Sequence, residues 1–270
     1  ELLSLFNSTI GNCSNFNSVK IDLRNHSEVK NIFSSFNPDI VIHTAAITSP
    51  IISTEHTTKD YYECNVKATE TLAQLCEQFN SKLIYTSTDL VYAGYRGNFL
   101  KEDSKLNPLS IYAETKLLGE LAVKKHSPNY LILRTALLFG YGITRSKNYF
   151  RHMIDNLQKS QPINLFTDQF RTPISARDVA TIINKLIIKE IKCDTINIGG
   201  SERISRFELG EKLCDIGSFD KSLLNKISMY QIPNYPAVED VSLNIDKLKP
   251  LGISPMSIDE SILKSLNEKL

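Results

Sequence analysis

The chain alternates between short apolar runs and longer segments with helical spacing, and this alternation most constrains its fold. Apolar runs of strand length occur in PDIVIHTAA, KLIYTST, NYLILRTALLFG and DTINIGG. Between them lie SIYAETKLLGELAVKKH, NYFRHMIDNLQKS and SARDVATIINKLIIKE, which have the spacing of amphipathic helices. Repeated strand–helix–strand units favour parallel strands joined by right-handed crossovers. The sequence therefore predicts an α/β fold, a doubly wound parallel sheet with helices on both faces.

The pattern changes after residue 200, where short helical and extended segments replace the long repeats. We predict one sheet domain from residues 1–140 and 171–200. A smaller lobe would combine residues 141–170 with 201–270. The C-terminal SIDESILKSLNEKL is predicted to be a helix capped by Ser257, with Glu260 completing a capping box.

Composition and charge exclude several classes of protein. The 270 residues are 41% hydrophobic with a net charge of +1, so no basic surface for nucleic acid or membrane is indicated. No apolar run reaches the length of a membrane span. The five cysteines are scattered, and no pair has metal-ligand spacing. We therefore expect reduced thiols, a cytoplasmic location and no metal site.

Two predicted strands end in small or hydroxyl-bearing residues. Thr44-Ala45-Ala46 follows one strand, and Ser87-Thr88-Asp89 ends the next. Ligands of doubly wound sheets bind beyond the carboxyl ends of the strands. Small side chains at residues 45 and 46 would let a flat ligand approach the backbone, although close packing of a helix on the sheet explains them equally well.

A phenol and an ammonium are spaced to share one helix face downstream of Thr88. Tyr112 and Lys116 are four residues apart in a predicted helix. A nearby cation would lower the pKa of the tyrosine from its ordinary value near 10. A phenol tuned in this way, beside a hydroxyl, suits acid–base chemistry on a carbonyl or alcohol. The hydride for such a reaction would come from a nicotinamide cofactor.

Several segments, in order, resemble the dTDP-4-dehydrorhamnose reductase family of extended short-chain dehydrogenases/reductases. VIHTAAITS is similar to the family's Asn-Ala-Ala-Ala-x-Thr segment, and STDLVYAG to Ser-Thr-Asp-Tyr-Val-Phe-x-Gly. NPLSIYAETKLLGE is similar to Asn-Pro-x-x-x-Tyr-Gly-x-x-Lys-x-x-Gly-Glu. NVKATETLAQLC, LILRTALLFG, TDQFRTPISARDVA and SERISRFELGEKL also fit. The resemblance extends over nearly the whole chain.

The resemblance implies a reaction and a set of site residues. The reaction is NADPH- or NADH-dependent reduction of the 4-keto group of a nucleotide-linked 6-deoxy sugar. The implied catalytic residues are Thr88, Tyr112 and Lys116. The implied cofactor-binding residues are Asp22, Leu23, Ala45, Ala46 and Thr135. The implied substrate-binding residues are Thr48, Asp89, Asn148, Phe150, Gln169 and Arg171. The sheet domain would hold the dinucleotide and the smaller lobe the sugar nucleotide.

The resemblance also implies finer roles. Tyr112 would give a proton to the forming alkoxide, and Lys116 would lower the pKa of Tyr112 and contact the nicotinamide ribose. Arg171 would pair with a diphosphate, unless it is a solvated surface arginine. Asp22 could instead cap the helix that follows it. Ser175 is the predicted cap of the helix in SARDVATIINKLIIKE, and Asp178, at its third position, is expected to cap or staple that helix rather than to contact ligand.

The family's opening strand and Gly-x-x-Gly-x-x-Gly turn have no counterpart here. ELLSLF is predicted to be the helix that should follow that turn, and Gly11 stands alone. We therefore expect a segment of roughly fifteen residues, the first strand and its glycine loop, to be missing. The chain as given would then bind cofactor weakly or be inactive. Leu90 and Ile47 also stand at positions where the family often has tyrosine.

Three alternatives stay open. One is a non-catalytic homologue that resembles the regulatory subunit of methionine adenosyltransferase and binds a partner. Another is a sugar-nucleotide epimerase or 4,6-dehydratase. A dehydratase would need an acidic pair next to the catalytic hydroxyl, but here Asp89 is followed by Leu90. The third is a non-catalytic remnant. GNCSNFN carries neither an acid nor an arginine to select NADH or NADPH. The oligomeric state is open and compatible with a homodimer.

Overall fold

The computed structural model describes residues 1–7, 17–49, 56–92, 94, 97–140 and 148–267. Its strands are β1 (Leu3–Phe6), β2 (Asn17–Lys20), β3 (Ile40–His43), β4 (Lys82–Thr88), β5 (Tyr130–Thr135), β6 (Leu138–Phe139), β7 (Ile163–Phe166), β8 (Phe170–Arg171), β9 (Ile174–Ser175), β10 (Asp194–Ile198), β11 (Ile204–Ser205) and β12 (Leu224–Ile227). Its α-helices are α1 (His26–Phe36), α2 (Thr58–Tyr61), α3 (Ala68–Gln78), α4 (Ile111–His126), α5 (Tyr149–Gln158), α6 (Ala176–Ile187), α7 (Arg206–Gly217) and α8 (Ile258–Asn267).

Four parallel strands form the central sheet, in the order β10-β5-β4-β3. The register of β4 and β5 sets Thr88 opposite Thr135, so both residues lie at the carboxyl edge of the sheet. A separate parallel pair is formed by β1 and β2. Helices connect successive sheet strands, as parallel pairing requires. The predicted doubly wound α/β fold is confirmed.

The first segment corrects one prediction. ELLSLF was expected to be helical, but Leu3–Phe6 is the strand β1, paired with β2 from Leu3 opposite Asn17 to Phe6 opposite Lys20. All four residues of β1 are partly buried. Six residues with four apolar side chains fit a helical period and a strand equally well, so pairing with β2 decides the conformation.

Apolar clusters cover both faces of the sheet. On one face, side chains of β4 and β5 pack against α1, α3 and Val123 of α4. On the other face, side chains of β4, β5 and β10 pack against α6 and against the segment 238–253. Helix α3 buries an apolar stripe, with Leu72, Leu75 and Cys76 each at most 5% exposed.

Helix α4 does not bury the stripe that its sequence suggested. Its apolar residues at 117, 118, 121 and 122 predict the core-facing side, but Leu121 is 54% exposed. The buried residues are instead Ala113, Thr115, Lys116, Gly119, Glu120 and Val123. Contacts with polar groups of the sheet outweigh the apolar stripe and turn the polar face of this helix inward.

A further apolar cluster forms the smaller lobe. It joins α5, β7, α7, β12 and α8 around Phe150, Leu165 and Leu213. Part of the C-terminal segment lies elsewhere, because Val238, Val241 and Leu243 belong to the cluster on the sheet. The lobe boundaries drawn from the sequence therefore remain a proposal. Within the described residues, no helix combines the length and apolar character that a membrane crossing requires.

Candidate functional site

A cavity of about 520 Å³ opens at the carboxyl edge of the sheet. The sheet side contributes Thr88, Asp89 and Thr135, and α4 contributes Tyr112. The small-lobe side contributes residues that include Tyr149, Arg206 and Tyr235. A cavity of this size and mixed lining is of the kind that holds a small organic ligand.

Local sequence explains how Thr88 and Tyr112 meet. Thr88 ends β4 and caps the 3₁₀ turn Asp89–Val91, where its Oγ1 accepts the Leu90 N–H at 3.2 Å. Ser110 caps α4 by accepting the Ala113 N–H at 3.2 Å, which starts the helix just before Tyr112. Both cavity-lining residues are therefore fixed by a cap in their own segment.

The phenol of Tyr112 is less acidic than the sequence suggested. Burial raises the pKa of Tyr112 to about 12, although a hydrogen bond with Thr88 and the charge of Arg171 oppose this rise. The net shift is therefore opposite in direction to the lowering expected from the sequence, because burial outweighs the effects that favour the phenolate.

Lys116 lies in an aromatic and polar pocket beneath the helix. Its Nζ is 4.0 Å from the centre of the Tyr85 ring, and the Tyr85 hydroxyl donates to the Lys116 carbonyl at 3.2 Å. Burial lowers the pKa of Lys116 to about 7, against an opposing effect of Glu120. Gly119 makes this contact available, because a Cβ there would lie 2.3 Å from the Tyr85 hydroxyl.

A buried ion pair supports the same helix from below. Arg134 of β5 donates to both oxygens of Glu120, from Nε at 2.9 Å and from Nη2 at 2.7 Å. Ser87 donates to Glu120 at 2.6 Å, and Arg134 Nη1 donates to the Tyr92 hydroxyl at 2.9 Å. This network ties the strand end at Ser87 to α4 and so fixes the spacing of Thr88 and Tyr112.

The cavity carries a second ion pair. Arg171 Nη1 lies 2.8 Å from Asp89 Oδ2, and both side chains are at most 6% exposed. The Arg171 Nε, by contrast, is buried without a hydrogen-bond partner. Because the two charges compensate one another, this pair adds polarity to the wall but little net charge.

Only part of the predicted substrate set lines the cavity. Thr48, Asp89 and Arg171 do. Asn148 instead caps α5, accepting the Arg151 N–H at 2.8 Å and donating to the Gly140 carbonyl at 3.0 Å. Phe150 is fully buried in the small-lobe core, with its ring 5.1 Å from Phe139. Gln169 is also fully buried, behind the wall.

The predicted cofactor residues divide between two cavities. Thr135 lines the first, and its hydroxyl donates to the Ser87 carbonyl at 2.9 Å. Leu23 and Ala45 line a second cavity of about 410 Å³ beside β1 and β3. Ala46 lines neither cavity. The loop 44–49 separates the two spaces, because its first residues face the second and its last residues face the first.

Asp22 is neither the helix cap nor a lining residue of these cavities. Its carboxylate pairs with Arg24 at 2.6 Å, and this hydrogen bond with Arg24 lowers the pKa of Asp22. Asn25 is the cap of α1. The helix α6, which contains Asp178, is capped by Ser175, and the Asp178 carboxylate accepts the Met256 N–H at 2.7 Å. The segment 11–16, most of GNCSNFN, lies outside the described residues.

Asn65 holds the loop between the cavities in place. Its Oδ1 accepts the Ile47 N–H at 2.8 Å, and its Nδ2 donates to the Ile47 carbonyl and the Thr115 hydroxyl, each at 3.0 Å. It lies in the π-helical turn Tyr62–Lys67, a local widening that is frequent near functional sites. The only sequence signal for Asn65 is its place in NVKATETLAQLC, one of the segments that resemble the family.

Sequence reasoning missed the residues of the lobe side. Arg206 is the first residue of α7, and its guanidinium carbon lies 4.3 Å from the centre of the Tyr149 ring. Its Nε donates to Gln169 Oε1 at 2.9 Å. The sequence carries no spacing signal that links Arg206 to Tyr112, since tertiary packing alone brings them to one cavity.

The dTDP-4-dehydrorhamnose reductase of Aggregatibacter actinomycetemcomitans is 28% identical over 229 residues, 83% of this chain and 73% of that protein. Methionine adenosyltransferase 2 subunit beta of Xenopus laevis is 29% identical over 238 residues, 86% of this chain and 71% of that protein.

Solved structures share the fold. A dTDP-4-dehydrorhamnose reductase from Bacillus anthracis in complex with NADP has a TM-score of 0.86 at 24% identity, over 94% of this chain and 90% of that one. The Bordetella bronchiseptica enzyme WbmG in complex with NAD and UDP has a TM-score of 0.83 at 17% identity, over 99% and 86%. A family model described as the RmlD substrate binding domain matches residues 1–269, and the chain belongs to that family.

Proposed function

We propose that this protein reduces the 4-keto group of a nucleotide-linked 6-deoxy sugar, with dTDP-4-dehydrorhamnose as the substrate and dTDP-L-rhamnose as the product. The observation that carries the proposal is that Tyr112 and Thr88 line one cavity at the carboxyl edge of the sheet. A similar reductase is among the relatives. The reaction fits a site that offers a proton donor and a hydroxyl to one carbonyl oxygen.

Tyr112 is the proton donor in this proposal. Because burial raises its pKa to about 12, the phenol is protonated near neutral pH, which is the form that reduction requires. As negative charge develops on the carbonyl oxygen, Tyr112 directs its O–H towards it, and the Thr88 O–H, which donates to Asp89 at 3.2 Å in this structure, would turn to the same oxygen. The phenol proton then moves to that oxygen, and the product is an alcohol.

Reduced nicotinamide, NADPH or NADH, supplies the hydride when bound. The chain's own residues fit such a group: Leu23 and Ala45 line an uncharged cavity suited to a flat ring. Thr135 lines the first cavity, where the second end of a dinucleotide would lie. The small side chains of Ala45 and Ala46 would leave the backbone of the loop between the two cavities accessible to it. Lys116, four residues after Tyr112 in α4, has a pKa that burial lowers to about 7.

The sugar would occupy the first cavity. Thr48 and the Asp89–Arg171 pair offer it hydrogen-bond donors and acceptors, and Leu90 and Leu109 offer apolar contact. The sheet domain would thus hold the dinucleotide, and the lobe side of the cavity would select the nucleotide sugar. Gln169 supports the lobe wall, whereas Asn148 and Phe150 serve the fold.

The experiment follows NADPH and NADH oxidation by the full-length protein with dTDP-4-dehydrorhamnose, and identifies the product by mass and NMR. The proposal expects turnover that requires both reactants. Absence of turnover with either cofactor would contradict it. A bound cofactor that survives purification and supports inversion without net oxidation would indicate an epimerase instead.

A second candidate is a binding subunit without reductase activity. The subunit beta proteins match this chain at 26–29% identity, which is as high as the reductase match. Tight binding of a methionine adenosyltransferase catalytic subunit, measured by calorimetry, together with no oxidation of NADPH, would support this candidate over the reductase.

A further inference from the structure

One cation on the lobe side of the main cavity has no compensating acid. Three charged residues line that cavity, Asp89, Arg171 and Arg206. Asp89 and Arg171 form an ion pair of 2.8 Å. Among the described residues, no carboxylate forms an ion pair with Arg206, so its charge is the net charge of the cavity wall.

Arg206 is held rigidly although it lacks an acidic partner. Its Nε–H donates to Gln169 Oε1 at 2.9 Å, and its guanidinium carbon lies 4.3 Å from the centre of the Tyr149 ring. Gln169 is fixed in turn, because its Nε2 donates to the Tyr235 hydroxyl at 3.2 Å. Gln169 is fully buried, and its amide is neutral. The support orients the guanidinium without cancelling its charge.

This arrangement suits an anionic ligand. Because Nε donates to Gln169 and the Arg206 side chain lines the cavity, the edge formed by Nη1 and Nη2 is the part of the guanidinium that we assign to a ligand. Two parallel N–H groups match the oxygens of a phosphate, and a pre-oriented guanidinium loses little conformational freedom on binding. Arg171 is less suited, because an anion would have to compete with Asp89.

We propose that Arg206, positioned by Gln169, binds the diphosphate of the nucleotide sugar, in place of the Arg171 that the sequence suggested. This inference rests on the proposed function for the identity of the anion. It makes the lobe side of the cavity the phosphate end and the Thr88–Tyr112 side the sugar end. Gln169 is a positioning residue, because it contacts Arg206 and not the ligand.

The test measures binding of dTDP, UDP and inorganic pyrophosphate by calorimetry, with no reaction needed. Arg206→Gln is expected to weaken dTDP and UDP by roughly 10- to 100-fold, the usual loss for a charge-assisted pair. Gln169→Glu leaves Arg206 in place but sets a carboxylate on its Nε. We expect a similar loss, because the cation becomes compensated.

Controls separate this effect from general loss of charge or of fold. Lys221→Gln removes an exposed lysine that pairs with Asp215 in the same lobe, and should leave nucleotide affinity unchanged. Arg206→Lys keeps the charge but loses the two-point geometry, so an intermediate affinity is expected. Thermal unfolding of each variant confirms that it is folded.

The outcomes for the two proposals differ. Loss of binding in Arg206→Gln and Gln169→Glu without turnover by the unaltered protein retains the phosphate site and removes the reductase. If Arg206→Gln and Gln169→Glu both turn over substrate with unchanged KM and bind dTDP with unchanged affinity, the reductase proposal stands and the role of Arg206 is overturned. Failure of the unaltered protein to bind any of the three probes at about 1 mM also overturns it.

Discussion

The Lys116 ammonium lies 4.0 Å from the centre of the Tyr85 ring. Tyr85 belongs to β4, whose last residue is Thr88, so this contact joins the middle of the strand to the helix that carries Tyr112. The cation is stabilised by the ring face, while burial disfavours its charge. The contact therefore joins α4 to the sheet, but it buries an ammonium whose charged form costs stability.

Stability should depend on pH through Lys116. The folded pKa is about 7 against an ordinary value of 10.5, so between these values the unfolded chain binds more protons. Stability from this group is then fully present above about pH 10.5 and lost as the pH falls to about 7. Urea unfolding should therefore show that Lys116→Met raises the free energy of unfolding, relative to the unaltered protein, more at about pH 7 than at about pH 9.5.

The pH effect is bounded and has a control. Each pH unit within the window changes the free energy of unfolding by at most about 1.4 kcal/mol. The control is Lys124→Met, which removes a lysine from an exposed position of the same helix. An equal difference between the unaltered protein and Lys116→Met at both pH values would contradict the expected burial of this charge.

Gly119→Ala should destabilise the protein although alanine favours helices. A Cβ would lie 2.3 Å from the Tyr85 hydroxyl and 3.1 Å from the Asn65 carbonyl oxygen. Overpacking of this kind costs about 1–3 kcal/mol, more than the helix propensity gained. In a Tyr85→Phe background the cost of Gly119→Ala should fall, since the nearest atom is gone. A double-mutant cycle of unfolding free energies measures this coupling, and strict additivity would argue against it.

The Glu120–Arg134 pair should be far more sensitive than surface pairs. Glu120→Ala leaves Arg134, which is 1% exposed, without its acid. We expect a loss of about 3–5 kcal/mol in the free energy of unfolding, because a buried charge is left uncompensated. Replacing both partners, as Glu120→Leu with Arg134→Met, should recover much of this loss.

The surface pair of Glu260 and Lys264 provides the comparison. These side chains are 50% and 47% exposed at a distance of 2.8 Å, and Glu260→Ala should cost at most about 1 kcal/mol. Similar losses for Glu120→Ala and Glu260→Ala in chemical denaturation would show that the buried network does not support the sheet.

The fold could be predicted because its signals are local and repeated. Apolar runs such as KLIYTST and caps such as Ser175 depend on neighbouring residues alone, and they are confirmed as β4 and the start of α6. ELLSLF was misassigned because six residues carry too little periodicity, and β1 owes its conformation to β2, eleven residues further on. The inward face of α4 was hidden because its partners are polar.

The site was predictable only where its residues belong to motifs. Thr88 and Tyr112 occupy one cavity, as their segments suggested. Arg206 was not predicted, because packing between the lobe and the sheet brings it there. Asn148 and Phe150 flank the cavity-lining Tyr149 in sequence, but a helix turns consecutive side chains about 100° apart, so all three cannot share one surface.

The most direct test of the proposed reaction is Tyr112→Phe with dTDP-4-dehydrorhamnose and NADPH, compared with Tyr230→Phe. Tyr230 is 64% exposed, and its hydroxyl donates to Glu239 at 2.6 Å, so it controls for the loss of a phenol. We predict that Tyr112→Phe lowers kcat by about 10²- to 10⁴-fold with dTDP affinity unchanged, and that Tyr230→Phe changes neither. A kcat for Tyr112→Phe equal to that of the unaltered protein would contradict the assignment of the proton donor.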